Sequence, residues 1–362
     1  MLFIGLMSGT STDGVDAALC RIQSPQSVQV LGHHSIAMPR DLRNEILALN
    51  TSSYDELHRA ALVSNRLAQL YGQTTLELLH KTNYKATEIT AIGVHGQTVR
   101  HAPHQGFTIQ LNNPALLAEL THIHVIADFR IRDIAAGGQG APLVPTFHHA
   151  VFNTSHPRVI LNLGGIANIS LLRPNQPPQG FDTGPANALM DEWIHTHQGL
   201  AYDADGAWAA SGQVSEKLLQ QLLNESWLQL APPKSTGRDL FNQRWLLSHL
   251  AQLPAISPAD VQATLAAFTA QSVADAIRHH AKDTEEIIVC GGGAYNRHLL
   301  KLIQAKCNKP VHLSDGFGMG AQQVEAAAFA WFAYAYWHNI PAGQPAITGA
   351  RHSTILGAWH KA

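Results

Sequence analysis

Short apolar runs alternate with longer periodic segments along the chain of 362 residues. In the first part, runs of strand-forming residues predict strands at 2–8, 15–22, 28–36, 89–94 and 124–129. Apolar residues at three- and four-residue spacing predict helices at 40–49, 54–80 and 113–120. The predicted order is therefore three strands, helix, strand, helix and strand.

The same order returns after residue 157. Strands are predicted at 158–163, 166–172, 286–290 and 311–313, with a short strand before Asp182. Helices are predicted at 185–197, 214–224, 239–251, 258–281, 296–305 and within 320–338. This duplication predicts an α/β protein with two lobes of order βββαβαβ, and with helical insertions in the second lobe.

Two such lobes, each opening with a glycine-containing hairpin, resemble the superfamily of acetate and sugar kinases, heat-shock chaperones and actin. The alternative is an ordinary doubly wound α/β protein, in which strands alternate singly with helices. We expect lobes at 1–133 and 134–362. The tail at 342–362 can return to either lobe, and its sequence is compatible with one more strand.

Composition narrows the class of partner. Hydrophobic residues make up 45% of the chain, the formal net charge is -2, and no block of lysine or arginine occurs. This argues against nucleic acid or an anionic membrane as the main partner. Three cysteines without a CxxC pair indicate reduced thiols in the cytoplasm. The N-terminal apolar run predicts a buried strand rather than a secretion signal, and the longest apolar stretch is too short to cross a bilayer.

The segment GLMSGTSTDGVD at residues 5–16 is the first candidate site. It has P-loop spacing of glycines, but Val15 stands where a P-loop needs lysine. Small residues let backbone amides approach phosphate oxygens, and two aspartates there suit Mg²⁺. A plain hairpin turn is the alternative. The candidate contacts are Gly9, Thr10, Ser11, Thr12, Asp13, Gly14, Val15 and Asp16, with Asp13 and Asp16 as metal ligands.

Two further glycine-rich segments lie in the second half. LNLGGIANIS places Gly164 and Gly165 at the turn of the matching hairpin, where they present amides to a phosphate or simply close the turn. IIVCGGGAYN joins a buried strand to a helix. Glycines there admit a flat ligand such as adenine, or only allow close helix–strand packing. The candidate contacts in it are Gly291, Gly292, Gly293 and Asn296.

Asp182, in FDTGPAN, is the candidate general base. It follows a predicted strand and precedes a helix, so we expect it to project into a cleft between lobes, where a carboxylate can accept a proton from a hydroxyl or water. The alternative is an N-cap of the helix that begins at Pro185. In PPKSTGRDLFN, we expect Ser235, Thr236 and Asp239 to cap the following helix.

Other polar residues lie at predicted strand or helix ends. Arg130 can bind a substrate carboxylate bidentately, or pair with Asp133. HGQT ends an apolar strand, where open α/β sheets bind ligands. Glu325 either faces solvent or points into the cleft. The candidate substrate contacts are His95, Gln97, Asp128, Arg130 and Glu325.

These motifs together resemble the anhydro-N-acetylmuramic acid kinases over essentially the whole chain. The resemblance implies an ATP- and Mg²⁺-dependent enzyme that cleaves the anhydro bond of 1,6-anhydro-N-acetylmuramic acid with water and phosphorylates O6, in cell-wall recycling. It implies ATP phosphates at Gly9–Asp16, Asp182 as the base, a homodimer, and lobes that close around substrate.

Two alternatives stay open at this point. One is a kinase for another sugar or a small acid. The other is a nucleotide-gated binding protein of the chaperone or actin type, which requires a client domain or a polymerising surface.

Overall fold

The computed structural model describes residues 1–9 and 11–362. These residues form two compact units, with unit 1 at Met1–Asn153 and Gly318–Ala362 and unit 2 at Thr154–Phe317. Thr10, one of the predicted phosphate contacts, lies outside the described residues. The strands are β1 Leu2–Met7, β2 Gly14–Ser24, β3 Ser27–Ala37, β4 Ala91–Val94, β5 Gln97–Ala102, β6 Phe107–Leu111, β7 Val125–Ala127, β8 Arg158–Leu163, β9 Ile166–Leu172, β10 Gln179–Pro185, β11 Glu286–Cys290, β12 Val311–Leu313 and β13 Ala358–His360.

Helices flank these strands in both units. They are α1 Arg40–Ala48, α2 Glu56–Thr82, α3 Pro114–Thr121, α4 Phe129–Ala135, α5 Val144–Phe152, α6 Asn187–Gln198, α7 Ala207–Ser211, α8 Glu216–Leu223, α9 Gln243–Leu250, α10 Pro258–His280, α11 Arg297–Cys307, α12 Val324–Trp337 and α13 Pro345–Thr348.

The two main sheets share one topology. In unit 1 the order is β3-β2-β1-β4-β7, extended by β13, and in unit 2 it is β10-β9-β8-β11-β12. In each sheet the first three strands are antiparallel neighbours, and the fourth pairs in parallel with the first. The duplicated βββαβαβ order is therefore confirmed, as is the actin-like ATPase and sugar-kinase fold. A doubly wound sheet has no such pair of antiparallel openings.

Two glycines bring α12 directly onto the sheet of unit 1. Gly5 on β1 and Gly93 on β4 are register partners, so they lie side by side. A Cβ at Gly5 would overlap the Ala326 carbonyl, and one at Gly93 would overlap the Phe329 carbonyl. The alanine-rich helix, buried along most of its length, therefore packs backbone against backbone in this unit.

The division of the chain differs from the predicted boundary at 133/134. Unit 1 extends to Asn153 and also includes Gly318–Ala362, so α4, α5, α12 and the tail belong to it. The tail returns as β13, which pairs antiparallel with β7 and places Trp359 opposite Ile126. The physical reason is the sheet edge, because β7 offers unpaired backbone groups that a nearby strand satisfies.

Candidate active site

Asp182 lies inside strand β10 and is 8% exposed. The register with β9 shifts between Asp182 and Gly184, which makes a β-bulge at Thr183. Gly184 has φ +147°, a region that side chains rarely adopt. Bulges with such glycines redirect a neighbouring side chain and are common beside active sites. The sequence FDTGPAN thus places a buried carboxylate at an irregular point of a strand.

The segment that follows Pro233 holds Asp182 in place. The Thr236 N–H donates to Oδ2 of Asp182 at 2.9 Å, and the Asp182 N–H donates to the Lys234 carbonyl at 3.2 Å. Lys234 is itself buried, with Nζ 2.8 Å from the Leu228 carbonyl oxygen. Burial lowers the pKa of Lys234, and the Asp182 carboxylate opposes that shift. The carboxylate is therefore oriented by an amide and lies in the field of a cation.

The predicted cap of α9 is wrong, and the alternative in which Asp182 caps the helix after β10 does not hold either. Helix α6 begins at Asn187 with Ala186 as its N-cap, and no side chain caps it. Its first amides instead donate to carbonyls of the preceding hairpin, from Asn187 to Gly164 and from Ala188 to Gly165. Helix α9 is capped by Asn242, not by Ser235, Thr236 or Asp239. Asp182 therefore does not cap α6.

A row of polar residues crosses the sheet beside Asp182. Asn162 on β8 pairs with Asn168 on β9, and Asn168 pairs with Asp182 on β10. Direct cross-strand partners have their side chains on the same face. Oδ1 of Asn168 is buried and has no hydrogen-bond partner among the residues described. A buried orphan acceptor beside a carboxylate suits a water molecule or ligand as its missing partner.

The hairpin glycines at the turn between β8 and β9 have a structural task. The carbonyl oxygens of Gly164 and Gly165 accept the helix amides already described, which fixes the turn against α6. A Cβ at Gly164 would make only ordinary contacts, the nearest with the Ile166 carbonyl oxygen at 3.6 Å. The turn can therefore still present its own amides to a phosphate.

The triple glycine between β11 and α11 splits into two kinds of position. A Cβ at Gly293 would meet Cβ of Leu163 at 2.8 Å, and one at Gly291 would press on the Leu163 carbonyl oxygen at 2.8 Å. These two glycines allow close packing. Gly292 is exposed, and a Cβ there would meet nothing within 4 Å. Asn296 caps α11, since its Oδ1 accepts the Leu299 N–H at 2.9 Å. Gly292 is thus the glycine best placed for a ligand.

In unit 1, the loop after β1 is hydrogen-bonded to the start of β5. Nε2 of Gln97 donates to the Gly9 carbonyl at 3.1 Å, and the Thr12 N–H donates to the same oxygen at 3.1 Å. Thr12 has φ +53° and is buried. Gly14 is required by packing, since a Cβ there would lie 2.7 Å from the Ile36 carbonyl oxygen. Val15 is fully buried in the core, so any contact it offers a nucleotide comes from its backbone.

His95 and Arg130 form a hydrogen-bonded pair at the carboxyl end of this sheet. Nε of Arg130 donates to Nε2 of His95 at 2.7 Å, and Nη1 donates to the Gly140 carbonyl at 2.8 Å. Burial and the Arg130 guanidinium hold the pKa of His95 well below its usual range. The imidazole is therefore neutral, with its proton on Nδ1. The structure thus brings together His95 and Arg130, whereas the Gln97 side chain contacts the loop after β1.

Asp133, the alternative partner of Arg130, has hydrogen-bond partners of its own. Asp133 is completely buried, and it accepts the Gly140 N–H at 2.8 Å and the Thr348 hydroxyl at 2.8 Å. Burial raises the pKa of Asp133, an effect that these two hydrogen bonds and the Arg130 charge oppose. Arg130 contacts His95 and the Gly140 carbonyl.

Asp128 and Glu325 occupy helix starts in unit 1. Asp128 follows β7, is exposed, and has φ +63°, an unusual conformation for a residue with a side chain. Glu325 is half-buried in the first turn of α12.

The two candidate metal ligands differ in their surroundings. Asp13 is exposed, and one oxygen accepts the Ser11 hydroxyl at 2.7 Å. Asp16 is partly buried on β2, where its carboxylate contacts the Ser35 hydroxyl and lies 3.3 Å from Nε2 of His33. Mg²⁺ is commonly held by one or two carboxylates together with substrate phosphates. Asp13 fits such a site better, because Asp16 already has two protein partners.

Among residues 1–9 and 11–362, no group of three or more histidine, cysteine, aspartate or glutamate side chains is arranged to hold a metal ion. Within the same residues, no helix has both the length and the apolar character needed to span a bilayer.

Three residues of this region have contacts that the sequence did not predict. The amide of Thr236 orients Asp182, Asn168 stands opposite it, and Asp133 supports the turn at Gly140. Only the small polar cluster after Pro233 gave a signal, and a cap was the simpler explanation for it. Cross-strand register and backbone donors leave no mark in a single sequence.

Comparison with known proteins gives consistent results over the full length. The sequence matches the family model described as anhydro-N-acetylmuramic acid kinase over residues 1–362. It is 56% identical to the anhydro-N-acetylmuramic acid kinase of Bordetella petrii over 364 aligned residues, covering 100% of this chain and 96% of that protein. It is 48% identical to the enzyme of the same name from Pseudomonas savastanoi pv. phaseolicola, covering 99% of both.

Solved structures are more distant. The activator of 2-hydroxyisocaproyl-CoA dehydratase from Clostridium difficile, with bound ADPNP, is 12% identical, with a TM-score of 0.49 over 94% of this chain and 96% of that chain. The full-length match and the identity to curated relatives decide the family. The chain belongs to the anhydro-N-acetylmuramic acid kinases, which are phosphotransferases.

Proposed function

We propose that this enzyme converts 1,6-anhydro-N-acetylmuramic acid, ATP and water to N-acetylmuramic acid 6-phosphate and ADP in cell-wall recycling. Water forms a bond to the anomeric carbon, the bond from that carbon to O6 breaks, and O6 takes the γ-phosphoryl group as ADP leaves. The observation that carries the proposal is Asp182, a buried carboxylate at a β-bulge with one oxygen fixed by an amide.

Asp182 accepts the proton of the attacking water. An oriented carboxylate with little solvent access can serve as a general base. Asn168, with its orphan acceptor on the same face of the sheet, is placed to hold the water for attack. Together these residues supply orientation as well as a base.

The sugar contacts come from unit 1. Neutral His95 and the Arg130 guanidinium suit a hydroxyl and the lactyl carboxylate, respectively. Gln97 adds an acceptor, because its Oε1 is buried without a hydrogen-bond partner in the part of the chain described here. Asp128 and Glu325 remain candidate contacts on the strength of their positions at helix starts.

ATP is the phosphoryl donor in this proposal. Its phosphates bind the backbone of Gly9–Asp16 and of Gly164–Gly165, and its adenosine lies at Gly292, with Gly291, Gly293 and Asn296 shaping the backbone around it. Mg²⁺, held through Asp13 with Asp16 nearby, would neutralise phosphate charge. The family resemblance further suggests a homodimer, and sparse unpaired cysteines suggest a cytoplasmic enzyme.

An assay of ADP release across a substrate panel tests the reaction. The panel contains 1,6-anhydro-N-acetylmuramic acid, N-acetylmuramic acid, another anhydrosugar without the lactyl group, glucose and acetate. We expect turnover with the first compound far above the others. Faster turnover of an open sugar or of acetate would replace this proposal by a different kinase specificity.

A further inference from the structure

A chain of hydrogen bonds connects the C-terminal segment to the His95–Arg130 pair within unit 1. The Thr348 hydroxyl donates to Oδ1 of Asp133, and Oδ2 of Asp133 accepts the Gly140 N–H, each at 2.8 Å. The Gly140 carbonyl accepts Nη1 of Arg130 at 2.8 Å, and Nε of Arg130 reaches His95 at 2.7 Å. Each link has good hydrogen-bond length.

Gly140 links Asp133 to the His95–Arg130 pair in this series of hydrogen bonds. Its N–H is fixed by Asp133 and its carbonyl is used by Arg130, so the residue is held on both sides. Its φ of +70° is a conformation that glycine adopts without strain. A rotation of the Gly140 peptides would move the acceptor that sets the direction of the guanidinium.

The turn before Gly140 is shaped to hold the Asp133 carboxylate. A Cβ at Gly138 would overlap Oδ2 of Asp133 and would lie 2.7 Å from the Thr348 hydroxyl oxygen. Thr348 also accepts the Gln139 N–H on its carbonyl at 2.8 Å. Asp133 and Thr348 are almost completely buried. Gly138, Asp133 and Thr348 are thus packed against one another at this turn.

We propose that Asp133 and Thr348 are positioning residues for sugar binding, acting through Gly140 to fix the direction of the Arg130 guanidinium and, through it, the His95 ring. This inference rests on the proposed function in one respect, the contact of Arg130 and His95 with the sugar. It adds that the C-terminal segment, which contains none of the motifs assigned to the site, helps to set the affinity for the anhydrosugar.

The variant Thr348→Val tests this, because it removes the hydroxyl and keeps the shape of the side chain. We expect the KM for 1,6-anhydro-N-acetylmuramic acid to rise about tenfold, the loss of one buried hydrogen bond to a charged group, with the KM for ATP unchanged. Thr348→Ser restores the hydroxyl and should return the KM close to its original value.

Thr354→Val is the matched control. Thr354 is a buried threonine of the same C-terminal segment, and its hydroxyl donates to the adjacent Ile355 carbonyl, remote in sequence from the turn at Gly140. It should leave both KM values unchanged. Equal KM values for the sugar in Thr348→Val, Thr354→Val and the unmodified enzyme would overturn the positioning role.

The ring nitrogens of His95 give a readout that needs no substrate. In a two-bond ¹H–¹⁵N spectrum, assigned by the loss of signals in His95→Gln, the unmodified protein should show the tautomer with its proton on Nδ1. Thr348→Val should shift these nitrogen signals, and Thr354→Val should not. An inactive enzyme on the anhydrosugar panel would contradict the proposed reaction alone, whereas unshifted signals in Thr348→Val would contradict this inference alone.

Discussion

A glycine can be required by close packing or can leave open space for a ligand, and the sequence does not distinguish the two cases. In the run Gly291–Gly293, the outer two are forced by the packing of Leu163 and Asn162, whereas Gly292 faces open space. From the sequence, contact with adenine and close helix–strand packing were both possible for the whole run. Close packing holds for Gly291 and Gly293, whereas the adenine contact stays a prediction, now centred on Gly292. Asp182 shows the same limit, since its bulge depends on strand register and its amide partner lies 54 residues further along the chain.

The variant Gly292→Ala should separate ligand contact from packing. We expect the affinity for an ATP analogue to fall about tenfold, since a methyl group would stand where the backbone approaches the nucleotide. Thermal unfolding should stay unchanged, because a Cβ there meets nothing within 4 Å. Titration calorimetry and a melting curve measure the two effects.

Gly293→Ala is the comparison variant, and it should lower the melting temperature because its Cβ would lie 2.8 Å from that of Leu163. An unchanged ATP affinity in Gly292→Ala would remove Gly292 from the nucleotide site.

At the scale of elements, strands bounded by clear turns were predictable to the residue. The predicted strands 158–163, 166–172, 286–290 and 311–313 coincide with β8, β9, β11 and β12. The β5–β6 hairpin and the short helices α4 and α5 were missed. Polar residues obscure the alternation in β5, and helices of seven to nine residues have too few turns to show periodicity.

The packing of α12 on paired glycines gives a prediction at this scale. Gly93→Ala should destabilise the protein by about 3 kcal/mol, since the new Cβ would collide with the backbone of α12 and force it from the sheet. The midpoint of urea unfolding followed by circular dichroism measures the loss. Gly316→Ala, where no atom lies within 4 Å, should leave the midpoint unchanged. Equal midpoints for both variants would show that α12 accommodates the methyl group at little cost.

At the scale of the whole molecule, the duplicated topology followed from element order, but the discontinuous first unit did not. Unit 1 includes the chain from Gly318 onward because α12 packs on its sheet and β13 pairs with β7. No local pattern marks that return, since the contacts that define it join residues far apart in sequence.

Buried histidines make the stability of the molecule depend on pH. Burial lowers the pKa of His148 from 6.5 to about 3 and that of His101 to about 4. The unfolded chain therefore binds more protons than the folded chain below about pH 6.5, so stability falls as the pH decreases through that range. At about pH 5, His148 alone should cost about 2 kcal/mol.

His148→Gln removes this titration and should flatten the decline in melting temperature between about pH 7 and about pH 5. The substitution His58→Gln, at an exposed position of α2, should leave the decline unchanged. A slope in His148→Gln as steep as in the unmodified protein would show that other groups carry the acid sensitivity.

The role of Asp182 is the central claim, and Asp182→Asn tests it most directly. Asparagine keeps the shape and an oxygen that can accept the Thr236 N–H, but it cannot act as a base. ADP release with 1,6-anhydro-N-acetylmuramic acid should fall by about 10³-fold or more, the contribution of a general base, while calorimetry shows ATP binding nearly intact. Turnover near that of the unmodified enzyme would contradict the account.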